Sequence, residues 1–154
     1  MTRTNKFIGI GVILLIWWFA IYQGTRANTM LLQLMNGNWL IYDQLKTIHH
    51  PYKLEVAFAA SNLAISQIIS NPEILQEERI YYGIRTLIVD LESILKSNPS
   101  SLALTLNLAD LYVFLGNREG FERLAIRALV LSPQKQTTLL RIQQNRKLLE
   151  MNGR

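Results

Sequence analysis

The sequence predicts an all-α protein, in which one N-terminal membrane-spanning helix is followed by an irregular array of helical hairpins. Three observations support this prediction. Residues 7–22 form an apolar run without charge, the remaining chain carries apolar residues at helical spacing, and no alternating segment is long enough for a strand. Pro99 and Pro133 each follow an amphipathic segment and stand 34 residues apart, which is the period of one class of two-helix repeat.

The composition fits one domain with an appendage. The chain has 154 residues, of which 49% are hydrophobic, so it can bury a core. The absence of cysteine excludes disulfides and cysteine-based metal sites. The formal net charge is +5. The basic residues are spread along the chain, which favours general surface charge over nucleic-acid binding, because nucleic-acid-binding proteins cluster their charge.

The first element, within residues 1–24, is the apolar run Phe7–Tyr22. As a helix it spans about 24 Å, and extension to Gly24 brings it closer to the roughly 30 Å of a hydrocarbon core. The alternative is a cleavable signal peptide that is cut at residues 25–27. The run is long and ends in bulky aromatic residues instead of small ones, so we favour an uncleaved anchor.

The charges around this anchor predict its orientation. Arg3 and Lys6 precede it, whereas only Arg26 follows it closely. Positive charge stays on the cytoplasmic side of a membrane. The sequence therefore predicts a single-pass protein of a bacterial inner membrane, with a cytoplasmic N-terminus and a periplasmic or otherwise extracytoplasmic C-terminal domain.

Residues 25–100 are predicted as a helical region. The polar residues 23–29 indicate a linker or a helix break, and Thr29 is a candidate N-cap for a helix over 30–48 that is interrupted at 36–38. Pro51 ends this helix and opens a strongly apolar helix that runs to Ser70.

Pro72 is predicted to open the next helix, which runs to Lys96 with a break near Tyr82–Gly83. Two better-defined helices follow, over 101–115 and 118–131, within a repeat unit of residues 101–134. Residues 135–154 provide a final, more polar capping helix over 136–151 and a short tail.

The unit of residues 101–134 resembles a tetratricopeptide repeat. The residues at the packing positions of that repeat are Leu108, Ala109, Tyr112, Gly116, Ala128 and Pro133. Phe121 and Ala125 depart from the pattern, because large and small side chains are exchanged, and this predicts a shift in helix packing. A second full repeat is not predicted, since Pro72 would fall inside one of its helices.

A looser resemblance covers a longer span. A membrane helix, a His-Pro-Tyr opening to an Ala-rich helix, and the segments NPSS, LADLY, LGN and RALVLSPQKQ are together similar to the C-terminal extension of bacterial O-antigen ligase and polymerase-type proteins. In that family the last membrane helix leads into irregular tetratricopeptide-like helices outside the cytoplasmic membrane. The resemblance implies a non-catalytic extension that is encoded apart from the multi-spanning, glycan-transferring part.

These resemblances imply a non-enzymatic scaffold of an envelope assembly, with polysaccharide or O-antigen synthesis or export ranked first. The expected partner is a membrane protein such as a multi-spanning polysaccharide polymerase or ligase, and neither a nucleic acid nor a cofactor is expected. Asn107, Asp110 and Phe114 are the candidates for a protein-binding groove. The alternative is an envelope enzyme, a glycan hydrolase or transferase, whose site the sequence does not reveal.

No catalytic or metal-binding residue is predicted. His49 and His50 are adjacent and point in different directions, and Asp90 and Glu92 diverge on a helix. A small basic cluster near the C-terminus is interpreted as a solvated helix face, with contact to anionic lipid or glycan as the alternative. Its members are Arg141, Arg146, Lys147 and Arg154.

Overall fold

The structure is a computed structural model that describes residues 21–22, 24–47 and 53–152. All regular structure in these residues is helical, which confirms the predicted all-α class. The α-helices are α1 (24–35), α2 (Tyr42–Leu45), α3 (Lys53–Ser70), α4 (Glu78–Ser97), α5 (Leu102–Phe114), α6 (Arg118–Leu131) and α7 (Gln136–Asn152). Two 3₁₀ helices, Trp39–Ile41 and Pro72–Gln76, precede α2 and α4.

The predicted anchor Phe7–Tyr22 lies outside the described residues, apart from Ile21 and Tyr22. The anchor therefore stays a prediction, as does the expectation for His49 and His50, which also lie outside. Among the helices of the described ranges, none is both long enough and apolar enough to cross a membrane.

The predicted linker at residues 23–29 is wrong for residues 24–29, which belong to α1. Thr29 is not an N-cap, because its hydroxyl donates to the Thr25 carbonyl at 3.0 Å inside the helix. The Thr25 hydroxyl bonds the Ile21 carbonyl in the same way, at 2.9 Å. Such bonds satisfy the hydroxyl within a helix, so polar residues alone did not mark a break. The interruption expected at 36–38 is present, and there Gly37 has φ +92°.

The predicted helix from Pro72 to Lys96 is wrong at its start. Residues Pro72–Gln76 form a 3₁₀ helix, and α4 begins at Glu78 after extended backbone at Glu77 (φ −73°, ψ 119°). The break predicted near Tyr82–Gly83 is absent, because Gly83 lies inside α4. This glycine permits close packing instead: a Cβ there would stand 2.8 Å from Leu40 Cδ2.

The helices from α3 onward stack through α5. The α3–α4 and α5–α6 pairs form hairpins, α3 packs on α5, and α5 packs on α7. The most extensive contact joins α5 to α6, and α4 and α6 also pack on α5 and α7 respectively. Helix α5 is therefore surrounded by four helices, and its side chains from Leu104 to Val113 are all buried.

The positions that resemble a tetratricopeptide repeat lie mostly in this core. Leu108, Ala109, Tyr112 and Ala128 are buried, as are Phe121 and Ala125. Gly116 follows α5 with φ +68°, where only glycine is free of steric strain, and Pro133 is exposed in the turn before α7. The large and small side chains can be exchanged between these two positions of α6 because both positions are buried.

Candidate binding cleft

Two of the three groove candidates are buried. Asn107 is 2% exposed and Asp110 is 6% exposed, whereas Phe114 is half-buried at the end of α5. Asn107 and Asp110 are buried because α5 has packed neighbours on almost every side. Both side chains take part in a polar network that joins three helices.

Asn107 connects α5 to α3. Its amide nitrogen donates to Ser61 Oγ at 2.9 Å and to Asn62 Oδ1 at 2.8 Å. The Ser61 hydroxyl donates in turn to the Phe58 carbonyl at 2.8 Å, so its oxygen is free to accept from Asn107. A buried amide is costly unless it is hydrogen-bonded, and these contacts remove that cost.

Asp110 connects α5 to α7. Arg141 donates to Asp110 Oδ2 from Nε at 3.1 Å and from Nη2 at 2.5 Å, while Asn145 donates to Oδ1 at 2.6 Å. The same guanidinium reaches Asn107 Oδ1 at 3.0 Å. A buried carboxylate with a two-pronged arginine contact and an additional donor is well compensated.

The prediction of a solvated basic face on α7 is therefore wrong for Arg141, whose guanidinium belongs to this network. Arg146 does lie at the surface, and it forms an ion pair with Glu122 of α6 at 2.7 Å. Hydrogen bonding to Arg146 lowers the pKa of the Glu122 carboxyl. Lys147 is exposed.

A cleft of about 670 Å³ opens above the network, between α3, α5 and α7. It is lined by the apolar side chains of Ile65, Ile69, Phe114, Leu148 and Met151, and by the polar side chains of Asp110, Arg141, Gln144, Asn145 and Lys147. Asp110 and Phe114, predicted as groove residues, thus lie at the cleft, and Asn107 lies in the network beside it.

The apolar rim of the cleft is open to solvent. Ile69 is 66% exposed, Met151 is 65% exposed and Leu148 is 41% exposed. Contiguous exposed apolar surface of this kind is typical of interaction sites. These residues of α3 and α7 were not predicted as site residues from the sequence. Their helical spacing, i to i+4 for Ile65 and Ile69 and i to i+3 for Leu148 and Met151, was the signal that could have found them.

A second polar cluster joins α4, α5 and α6 outside the cleft. The Tyr112 hydroxyl donates to Glu92 Oε1 at 2.6 Å, and Arg123 Nη2 donates to the same oxygen at 2.7 Å. Burial and the contact with Glu92 raise the pKa of Tyr112 to about 12. Asp90 pairs instead with Lys46, at 3.2 Å, so Asp90 and Glu92 do diverge as predicted.

Within residues 21–22, 24–47 and 53–152, no three histidine, aspartate or glutamate side chains converge as they would around a metal ion. No family model matches the sequence, and comparisons with curated proteins and with solved structures give no match either.

Proposed function

We propose that this chain is a membrane-anchored, non-enzymatic interaction module that holds a partner protein in the cleft between α3, α5 and α7. The observation that carries the proposal is the cleft itself. Its apolar rim is exposed on two helices, and the polar side chains at its floor are hydrogen-bonded to one another. Exposed apolar surface that is rimmed by polar residues marks protein interaction sites.

The same proposal treats the described helices as an irregular tetratricopeptide-like array. The tight α5–α6 hairpin and the packing of α3, α5 and α7 side by side support it. In such arrays each helical hairpin covers the apolar face of its neighbour, and the stack leaves an extended concave surface for a ligand. The cleft lies on the surface formed by these three helices.

The chemistry of the cleft favours holding over catalysis. Asp110 accepts short hydrogen bonds from Arg141 Nη2 on Oδ2 and from Asn145 on Oδ1. The carboxylate that lines the cleft therefore has both oxygens occupied by side chains of the chain itself. A general base needs a proton-accepting atom within reach of the substrate, and the engaged Asp110 does not supply one.

We place this module at the bacterial inner membrane, with its C-terminal domain outside the cytoplasm. The predicted anchor and the looser resemblance to O-antigen ligase and polymerase-type proteins support this assignment. The proposed partner is a multi-spanning polysaccharide polymerase or ligase. Anchoring both proteins in one membrane raises their effective concentration, so a contact of modest affinity suffices.

Site-specific photocrosslinking in native membranes tests the proposal. A benzophenone amino acid replaces Phe114 in the cleft, and a matched variant carries it at Tyr82, an exposed aromatic residue of α4 outside the cleft. We expect a protein adduct of one defined mass from position 114 that is absent from position 82. Identical adduct patterns from both positions, or no protein adduct from position 114, would contradict the proposal.

Turnover assays address the enzymatic alternative. The purified full chain is incubated with lipid-linked glycans, and the products are resolved by mass spectrometry. We expect no consumption of the substrate above a protein-free control. Hydrolysis or transfer of the glycan by the purified chain alone would contradict the non-enzymatic assignment.

A further inference from the structure

Resting on the proposed function, we propose that the cleft between α3, α5 and α7 receives an acidic amphipathic helix of the partner. Such a helix places an apolar stripe between the α3 and α7 walls and a carboxylate beside Lys147. Two features of the cleft lead to this occupant, namely the spacing of its apolar side chains and the balance of its charges.

The apolar walls have the spacing that accepts a helix. Ile65 and Ile69 stand one helical turn apart on α3, Leu148 and Met151 stand nearly one turn apart on α7, and Phe114 lies between them at the end of α5. A helix that binds in a groove offers anchors at i, i+3, i+4 and i+7, which repeat at the same interval. The flexible thioether of Met151 allows the wall to adapt to such anchors.

The charge of the cleft favours a partner segment of opposite charge. Among the described residues, Asp110 is the one carboxylate that lines the cleft; its side chain is 8% exposed and is matched by Arg141, whose side chain is still 36% exposed. Lys147 is exposed and adds a second positive charge, with no acidic partner for it among the described residues. The lining is therefore net positive, so an acidic segment is attracted and a basic one is repelled.

Two synthetic peptides test this inference on the full chain in detergent micelles. Both have the same leucine stripe at helical spacing, and they differ only in carrying glutamate or lysine on the flanks of that stripe. Binding of each fluorescently labelled peptide is followed by anisotropy at low and at high salt. We expect the acidic peptide to bind about tenfold more tightly than the basic one at low salt, and the difference to shrink as salt screens the charges.

Charge reversal assigns the preference to the cleft. Lys147→Glu is expected to weaken binding of the acidic peptide by about fivefold and to strengthen binding of the basic peptide, because one rim charge contributes up to about 1 kcal/mol. Lys135→Glu, at an exposed lysine just before α7 and outside the cleft, is the matched control and leaves both affinities unchanged. Ile69→Glu, at a side chain already exposed, abolishes binding of the acidic peptide without unfolding the chain.

Three results would overturn the inference: equal affinity for the two peptides, no binding of either, or a preference that Lys147→Glu leaves unchanged. A lipid instead of a protein crosslinked at position 114 would also overturn it, because the cleft would then hold an acyl chain. The proposed function fails separately, if no protein adduct forms at position 114. If a protein adduct forms but the acidic peptide is not preferred, the proposed function is still supported and the inference of an acidic helix is contradicted.

Discussion

At the residue scale, the α5–α6 hairpin depends on one close approach. Gly120 in the first turn of α6 lies against the Tyr112 ring, and a Cβ at this position would stand 2.7 Å from Cδ1 and 2.9 Å from Cγ. The ring cannot simply swing away, because its hydroxyl is held by Glu92. A glycine near the start of a helix is therefore a packing requirement here and not a weak point in the sequence.

We predict that Gly120→Ala destabilises the protein by about 1 kcal/mol. Alanine gains close to 1 kcal/mol in helix propensity, but the overpacked contact costs about 1–3 kcal/mol, so the clash wins. Urea denaturation followed by circular dichroism measures the difference. Gly24→Ala is the control, since among the described residues no atom outside its own stretch of helix lies within 4 Å of its added Cβ, and it should match or exceed the parent. Equal loss in both variants would contradict this account of Gly120.

Tyr112 also predicts an alkaline dependence of stability. Its pKa rises from 10.0 to about 12 on folding, through burial and Glu92. Its contribution to the free energy of unfolding is therefore complete below pH 10 and is lost as the pH rises towards 12. Tyr112→Phe should cost about 1 kcal/mol at pH 7 through the lost hydrogen bond and should flatten the decline above pH 10.

Urea denaturation at pH 7, 10 and 11 tests this dependence. Tyr82→Phe, which removes an exposed hydroxyl, is the matched control and should reproduce the parent at every pH. If the decline above pH 10 is as steep in Tyr112→Phe as in the parent, the Tyr112–Glu92 contact does not contribute as described.

At the element scale, the sequence predicts those helices whose ends are set by local signals. Helix α6 begins and ends at the expected residues, and α5 does so within one residue, because Ser101 and Asn117 cap their first turns and Gly116 closes α5. Where contacts with distant parts of the chain determine the course of the backbone, the prediction was wrong. The turn at Pro72–Gln76 and the uninterrupted course of α4 through Gly83 depend on packing against α3 and on Leu40.

The candidate site was harder to predict than the helices. Asn107 and Asp110 were predicted as groove residues, but both are buried, and their partners lie 31 to 46 residues away in sequence. Periodicity along one helix cannot show that Ser61 and Arg141 will converge on it. The same limit hid Ile69 and Met151, which line one cleft from opposite parts of the chain.

The two ion pairs that hold α7 should differ in strength. Asp110→Asn leaves the Arg141 and Asn145 donors facing an amide group, and we predict a loss of about 2 kcal/mol, reduced from the value for fully buried pairs because Arg141 is partly exposed. Glu122→Gln weakens the more exposed pair with Arg146 and should cost less than about 1 kcal/mol.

Urea denaturation gives both losses, and hydrogen exchange shows whether α7 is the helix that loosens. We expect faster exchange of the α7 amides in Asp110→Asn, while those of α4 keep their protection. A greater loss in Glu122→Gln than in Asp110→Asn would show that the surface pair, and not the network, holds α7 in place.

At the scale of the whole molecule, α1 is the described helix that follows the predicted anchor in sequence. The polar residues after the predicted anchor were expected to form a linker or a helix break, but residues 24–29 are helical, and the helix continues to residue 35. Met30 and Leu34 of α1 are buried in the common core, so this helix is part of the domain.

The orientation of that anchor is the remaining prediction, and it follows from charge. Arg3 and Lys6 precede the apolar run, and Arg26 follows it closely, with Lys46 as the next cation. A reporter enzyme that is active only outside the cytoplasm, fused after Arg154, is therefore expected to be active. Replacing Arg3 and Lys6 with glutamate while adding lysines just after residue 26 reverses the asymmetry of charge and should silence the reporter in part or completely.

Addition of the same lysines after residue 100, far from the apolar run, is the control and should leave the reporter active, because only charges near the ends of a membrane helix set its direction. A silent parent fusion that is made in normal amounts would reverse the assigned topology and would place the cleft in the cytoplasm.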